Sequence, residues 1–421
     1  MINKLMKYKR EDSLIRDNFV LFTAIMFGNV AAFFYHFYMG RVLGPEDYGI
    51  LGVVLSLLYI INVPFNVIQT TITNIISEFK AKNQEKQISL IYRTTISKFF
   101  FYGILITLIF FVISPIIANF LKIPLTILFV FSPIFIFALI LPVTRGYLQG
   151  QQSFKKLGFN VFIEAFTKLT FGILLVYLGF HIYGAVTAIV ISFGAAFIYL
   201  YITNKNIPKS NEKYDMKKVY KQCLPILIAL LLLTFYYTID MFLVKHYFSD
   251  LDAGYYAALS VLGKIVFFAS VSVSTVMFPK VADLHARNKT TKYLMYKSMF
   301  LVFLIGFFII LFYFLFPKLV ITTLFGSAYL SISSFVWLFG LIMLLFSLSY
   351  LLVLYNLSVS RRSFLWILIT FAILESVIIL IYHPSLMIII NELVLLNFLS
   401  FILMLIYTLR KNGTVNNNSG L

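Results

Sequence analysis

Twelve stretches of predominantly apolar residues, each about long enough to cross a bilayer, fill almost the whole of this chain. They run over 19–40, 48–70, 99–119, 123–143, 158–178, 182–202, 223–246, 254–278, 298–316, 331–354, 364–381 and 385–408. About 30 Å of hydrocarbon is crossed by about 20 helical residues, and a helix satisfies its own backbone N–H and C=O groups on the way. The pattern predicts an all-α, polytopic membrane protein with twelve transmembrane helices. Composition agrees: 61% of the 421 residues are hydrophobic and 12% are charged, with mean hydropathy +0.94. Soluble domains are about half apolar and about a quarter charged. A soluble enzyme, a disordered tail protein and a secreted disulfide scaffold are excluded. The single cysteine, Cys223, allows no internal disulfide and no cysteine metal cluster.

The net charge of +18 has a topological reading. Of the 34 lysines and arginines, 28 fall in the two tails and in alternate connections. The opposite connections hold only Arg41, Lys122, Lys245 and Lys318, and Lys168 and Lys264 lie inside spans. Basic residues concentrate on the cytoplasmic side, so both termini are expected there, in the cell membrane. The charge sets topology and touches lipid headgroups; nucleic acid is not an expected partner. The first 18 residues are too charged for the start of a cleaved secretory signal, so the first span should persist.

The chain also carries a weak duplication. A shift of 205 residues lays Asp47 and Gly49 on Asp252 and Gly254. Without a gap it then lays Glu78, Ala81, Lys82 and Asn83 on Asp283, Ala286, Arg287 and Asn288. Both copies start in an outer loop, cross once and end in a basic inner loop. Two parallel six-span repeats follow: a tail 1–18, an N-lobe 19–202, a linker 203–221, a C-lobe 222–408 and a tail 409–421. Repeat transporters bind substrate between their halves and rock one against the other.

No P-loop is present, no connection is long enough for a catalytic domain, and the five histidines show no metal-ligand spacing. The chain is not expected to be an enzyme or to hold a metal. Ionisable residues within spans are the functional pointers, because each is costly in hydrocarbon. Glu164 and Lys168 stand at i,i+4, where they can neutralise each other or meet substrate. Lys264 has no carboxylate one turn away, which favours contact with substrate or with Asp240 of another span. Asp240, Glu375 and Glu392 are candidate coupling sites for Na+ or H+, the only cofactor requirement envisaged. Asn62, Asn66 and Gln69, joined by Asn29 and His36, form a polar stripe that either glues helices or faces a hydrated cavity. Arg41 and Arg145 are expected at the membrane edges as interfacial anchors, with Arg145 also a candidate substrate contact.

Three stretches carry a resemblance. They are Arg41-Val-Leu-Gly-Pro-Glu-Asp-Tyr-Gly-Ile-Leu51, then Arg145-Gly-Tyr-Leu-Gln-Gly150 with Phe154 and Glu164, and Asp252-Ala-Gly-Tyr-Tyr-Ala-Ala-Leu-Ser-Val-Leu-Gly-Lys264. In order and spacing they resemble the polysaccharide biosynthesis flippases of O-antigen type. These belong to the multidrug/oligosaccharidyl-lipid/polysaccharide (MOP) exporter superfamily. The resemblance implies two pseudo-symmetric six-helix lobes around a central cavity. It further implies movement of a polyprenyl-pyrophosphate-linked oligosaccharide from inner to outer leaflet, alongside glycosyltransferases or a polymerase of one pathway. A multidrug or small-molecule exporter on the same scaffold is the alternative, as is a scaffold subunit that transports nothing.

Overall fold

The computed structural model describes residues 2–205, 227, 230–232, 234–287, 289–359, 361 and 363–413, with side chains from Thr23 to Arg410. Most of the expected linker, the start of the seventh span with Cys223, Asn288 and the end of the C-terminal tail lie outside the described residues.

The described residues are almost all helical, joined by short turns, with no strand among them. The helices are α1 (Ile2–Ala81), α2 (Glu85–Leu121), α3 (Leu125–Phe131), α4 (Ile134–Gly150), α5 (Phe154–Leu175) and α6 (His181–Asn204). After the linker come α7 (Ile239–Tyr247), α8 (Asp250–Ala286), α9 (Lys292–Leu315), α10 (Pro317–Leu324), α11 (Val336–Ser358), α12 (Leu365–Ile381) and α13 (Leu386–Gly413). Among the described residues, eight helical stretches are long and apolar enough to cross a membrane. Two of these are doubled. Thr23–Ala81 spans 59 residues and Phe154–Asn204 spans 51, roughly 75–90 Å each at ~1.5 Å per residue, far beyond one bilayer.

Each doubled stretch breaks at a glycine with positive φ. Gly44 (φ 74°, ψ 174°) breaks the first, and the following Pro45 excludes the α conformation for the residue before it. Gly179 (φ 88°) breaks the second. Together with the 17-residue apolar α12 and the partly described seventh span, these account for the twelve expected crossings. The expected outer loop around Arg41 is therefore a kink between helices; helical backbone resumes at once after Gly44.

Two compact units are present: Met1–Leu43 with Val54–Thr234, and Gly44–Val53 with Phe235–Leu421. In the first, α5 packs on α6 and α2 on α4. Its buried cluster of Ile68, Ile72, Ile75, Ile76, Ile88, Ile91, Tyr92, Phe99 and Val143 lies among α1, α2 and α4. In the second, α11 is the central helix, packed against α8, α9 and α13.

The duplication is visible in side-chain detail. α1 and α8 end at Ala81 and Ala286, 205 residues apart. Each closes with the same i,i+4 ion pair, Lys82–Glu78 at 2.8 Å and Arg287–Asp283 at 2.9 Å. The matched glycines also meet. A Cβ on Gly49 would stand 2.8 Å from the backbone N of Gly254, and one on Gly254 would overlap the carbonyl oxygen of Pro45. Small residues let helix backbones approach this closely in lipid.

Gly254→Ala should therefore destabilise the second unit by about 1–3 kcal/mol, the usual range for overpacking. Gly194→Ala is the control, since its nearest contact would be an ordinary 3.6 Å from Phe137. Melting in detergent followed by size exclusion should show a lower transition for the first variant and an unchanged or higher one for the second.

Candidate functional site

In the first unit the motif beginning at Arg145 sits at the end of α4. Gly146 and Gly150 bring α4 onto α1: Cβ atoms there would press within 2.7 Å of the Gln69 carbonyl and of Ile76. Tyr147 lies against Tyr92, ring centres 4.6 Å apart, and Gln69 Nε2 donates to Gln149 Oε1 at 3.0 Å. Arg145 is 8% exposed, so it is not the interfacial anchor expected. Its Nε donates to Asn160 Oδ1 at 2.7 Å and its Nη2 to Glu164 Oε2 at 2.5 Å. Asn160 in turn donates to the carbonyl of Ala196, so one guanidinium fork ties α4 to α5 and α5 to α6.

The expected direct pairing of Lys168 with Glu164 gives way to this arrangement, although Glu164 still attracts Lys168 at longer range. Glu164 is held by Arg145, and no carboxylate among the described residues stands within ion-pair distance of Lys168. Lys168 Nζ instead lies 5.3 Å from the ring centre of Tyr35, whose hydroxyl donates to the Ala185 carbonyl at 2.8 Å. Gly172, one turn further along α5, leaves room for that ring. The amide stripe is divided: Asn62 is half-buried, Asn66 and Asn29 are exposed, and Gln69 is engaged with Gln149.

In the second unit a turn at Tyr237–Thr238 interrupts the seventh span and places Asp240 in the first turn of α7. Asp240 Oδ1 accepts from the backbone N of Met241 at 2.8 Å, and Tyr256 Oη donates to Oδ2. Lys264, two turns along α8 from Tyr256, lies 5.9 Å from the ring centre of Tyr237 and attracts Asp240 electrostatically. Glu375 of α12 is 2% exposed, and its Oε2 has no hydrogen-bond partner. Tyr236, Tyr237, Asp240, Phe346, Glu375 and Asn397 are among the residues lining one small cavity in this unit. It has room for a single water-sized particle, about 10 Å³. Asp240 and Glu375, expected from the sequence as ion sites, are thus brought together. Glu392, on α13, does not line this cavity. The tyrosines were not expected here. No group of three or more His, Cys, Asp or Glu suited to a metal occurs among the described residues.

Residues 38–334 match the model of the family described as polysaccharide biosynthesis protein. The chain belongs to that family. Its fold is that of MOP-superfamily transporters. One similar solved structure is a multidrug resistance MATE family transporter in an inward-facing conformation. It is 11% identical with a TM-score of 0.78, over 93% of this chain and 96% of that one. Another is the lipid II flippase MurJ in an inward closed conformation, 13% identical with a TM-score of 0.72, over 94% of this chain and 87% of that one. A MOP transporter from Pyrococcus furiosus is 13% identical, with a TM-score of 0.64 over 96% of both chains. No curated protein sequence matches this family member.

Because Arg145 and Glu164 hold each other in a largely buried site, removing one partner should be worse than removing both. Arg145→Ala should destabilise by on the order of 3 kcal/mol, the range for orphaning a buried charge. Adding Glu164→Gln should recover part of that loss in a detergent melting measurement. With Glu164→Gln alone completing the cycle, losses of the two single variants that simply add in the double variant would mean that the pair carries no coupling energy.

Proposed function

We propose that the chain is a membrane transporter that turns a lipid-linked oligosaccharide across the bilayer, from the side of its basic loops to the opposite side. Both termini would then be cytoplasmic. The lipid chain stays in hydrocarbon, while the sugar hydroxyls and linking phosphates need a polar path through about 30 Å.

The observation that carries the reading is Lys168: a cation inside an apolar helical unit, seated on a tyrosine ring, with no carboxylate in ion-pair distance among the described residues. Such a cation is expensive in lipid, and a phosphate anion offsets that expense. Lys264 has a similar tyrosine seat in the second unit. Membership of a polysaccharide biosynthesis family supports a sugar cargo, and the fold supports alternating access. Asn29, Asn62 and Asn66 are the amides left to bond sugar hydroxyls.

Asp240 and Glu375 supply the coupling site. Two carboxylates and one lysine leave one negative charge, which a proton or a monovalent cation closes. A discontinuous helix beside the site is the arrangement transporters use for coupling ions.

The test is reconstitution into vesicles with a fluorescent lipid-linked oligosaccharide, scoring the headgroup that becomes accessible on the far leaflet. Lys168→Gln should slow transfer by about tenfold or more, the equivalent of one charge-assisted bond, with unchanged melting. Wild-type transfer by this variant would remove Lys168 from the mechanism. Transport of cationic drugs without transfer of the lipid would instead establish a multidrug exporter, and movement of neither a scaffold role. Asp240→Asn with Glu375→Gln should abolish dependence of the rate on an imposed Na+ or H+ gradient; persistence of that dependence would place coupling elsewhere.

A further inference from the structure

A second concavity, unconnected with the buried charges, opens between α8 and α9. Ser272, Val273, Val276, Met277 and Lys280 form one wall, and Leu294, Lys297, Ser298 and Leu301 the other, around about 380 Å³. Lys280 lies six residues before the end of α8 and Lys297 five residues after the start of α9. At ~1.5 Å per residue the two stand at nearly the same depth, roughly 8–9 Å in from the basic end of the unit.

Neither lysine has an ion-pair partner among the described residues, and Asp283, one turn from Lys280, is taken by Arg287. From the lysines toward the membrane interior the walls are mostly apolar, broken by Ser272 and Ser298, and Val276 and Leu301 are exposed. The groove thus has a doubly cationic mouth at headgroup depth and a hydrocarbon-compatible floor.

We propose that this groove binds an anionic phospholipid of the leaflet facing the basic loops. The phosphodiester lies between Lys280 and Lys297, and the upper acyl chain runs along Val276 and Leu301. Charge complementarity selects the occupant: a zwitterionic lipid brings its own cation to a mouth that already holds two. From Lys280 to Ser272 the wall is only about 12 Å long, less than half the hydrocarbon thickness. That length suits a lipid standing in one leaflet. Basic pockets between transmembrane helices on the cytoplasmic side are a recurrent way of holding anionic headgroups.

The experiment titrates phosphatidylglycerol, phosphatidylcholine, a polyprenyl phosphate or inorganic phosphate into the full-length protein in neutral detergent, reading the melting temperature. Phosphatidylglycerol should raise it at concentrations at which phosphatidylcholine does not. Lys280→Gln with Lys297→Gln should raise the half-effective phosphatidylglycerol concentration about tenfold or more. Melting without lipid should stay the same, since both side chains are exposed. Lys122→Gln with Lys318→Gln, which removes equal charge at exposed positions elsewhere, should respond like wild type. The proposal is overturned if phosphatidylcholine acts equally, if the paired variant keeps its response, or if inorganic phosphate suffices. It is also overturned if polyprenyl phosphate is strongly preferred, which would make the groove a docking place for the cargo lipid.

Discussion

An ionised side chain in hydrocarbon has to be answered by something within a few ångströms, and that requirement fixes where charge can sit in this molecule. Most lysines and arginines avoid the problem by lying in the tails and in alternate connections between the spans. The described ones that enter the helical interior are answered in different ways. Arg145 uses a planar fork that reaches an amide and a carboxylate together, so its charge and three helices are settled in one network. Lys168 and Lys264 are point charges set beside tyrosine rings, an interaction weaker than a bidentate pair. The first arrangement is closed on itself; at Lys168 the capacity to meet another anion remains.

The second constraint is contact between helices. Lipid is as apolar as leucine, so helices gain little by hiding leucines from it, and association leans on close backbone approach. Gly146 and Gly150 serve this on α1, and the matched glycines Gly49 and Gly254 serve it within the second unit. The motif residues are therefore not all chemistry. In the stretch from Arg145 to Gly150 the glycines, Tyr147 and Gln149 hold helices together, and its arginine is an internal tie.

The spans and the repeat were legible because each rests on a one-dimensional quantity: run length and a constant offset. The offset drew strength from residues that the fold uses identically in both copies, the ion pairs closing α1 and α8. The partner of Glu164 was not legible. An i,i+4 spacing says that Lys168 can reach it, but not that an arginine from α4 reaches it with better geometry. The interruption at Tyr237–Thr238 was equally hidden, since no glycine or proline marks it. The aromatic seats of the lysines were lost among 27 tyrosines and 47 phenylalanines, a background in which no single ring stands out.

The small cavity of the second unit brings together two carboxylates that lie 135 residues apart in the sequence. From the sequence Asp240 and Glu375 were candidate sites for Na+ or H+, and Lys264 a contact for substrate or for Asp240. A space of about 10 Å³ has room for a water-sized particle, and a saccharide does not fit in it in this conformation. The mutual repulsion of the two carboxylates is relieved most directly by a bound cation or by protonation. Either event changes the charge beside the interruption in the seventh span, where the backbone already departs from a continuous helix. On the proposed function, an ion there would act on the conformation of the helix, and the phosphates of a lipid-linked cargo would be left to cations such as Lys168 outside this cavity.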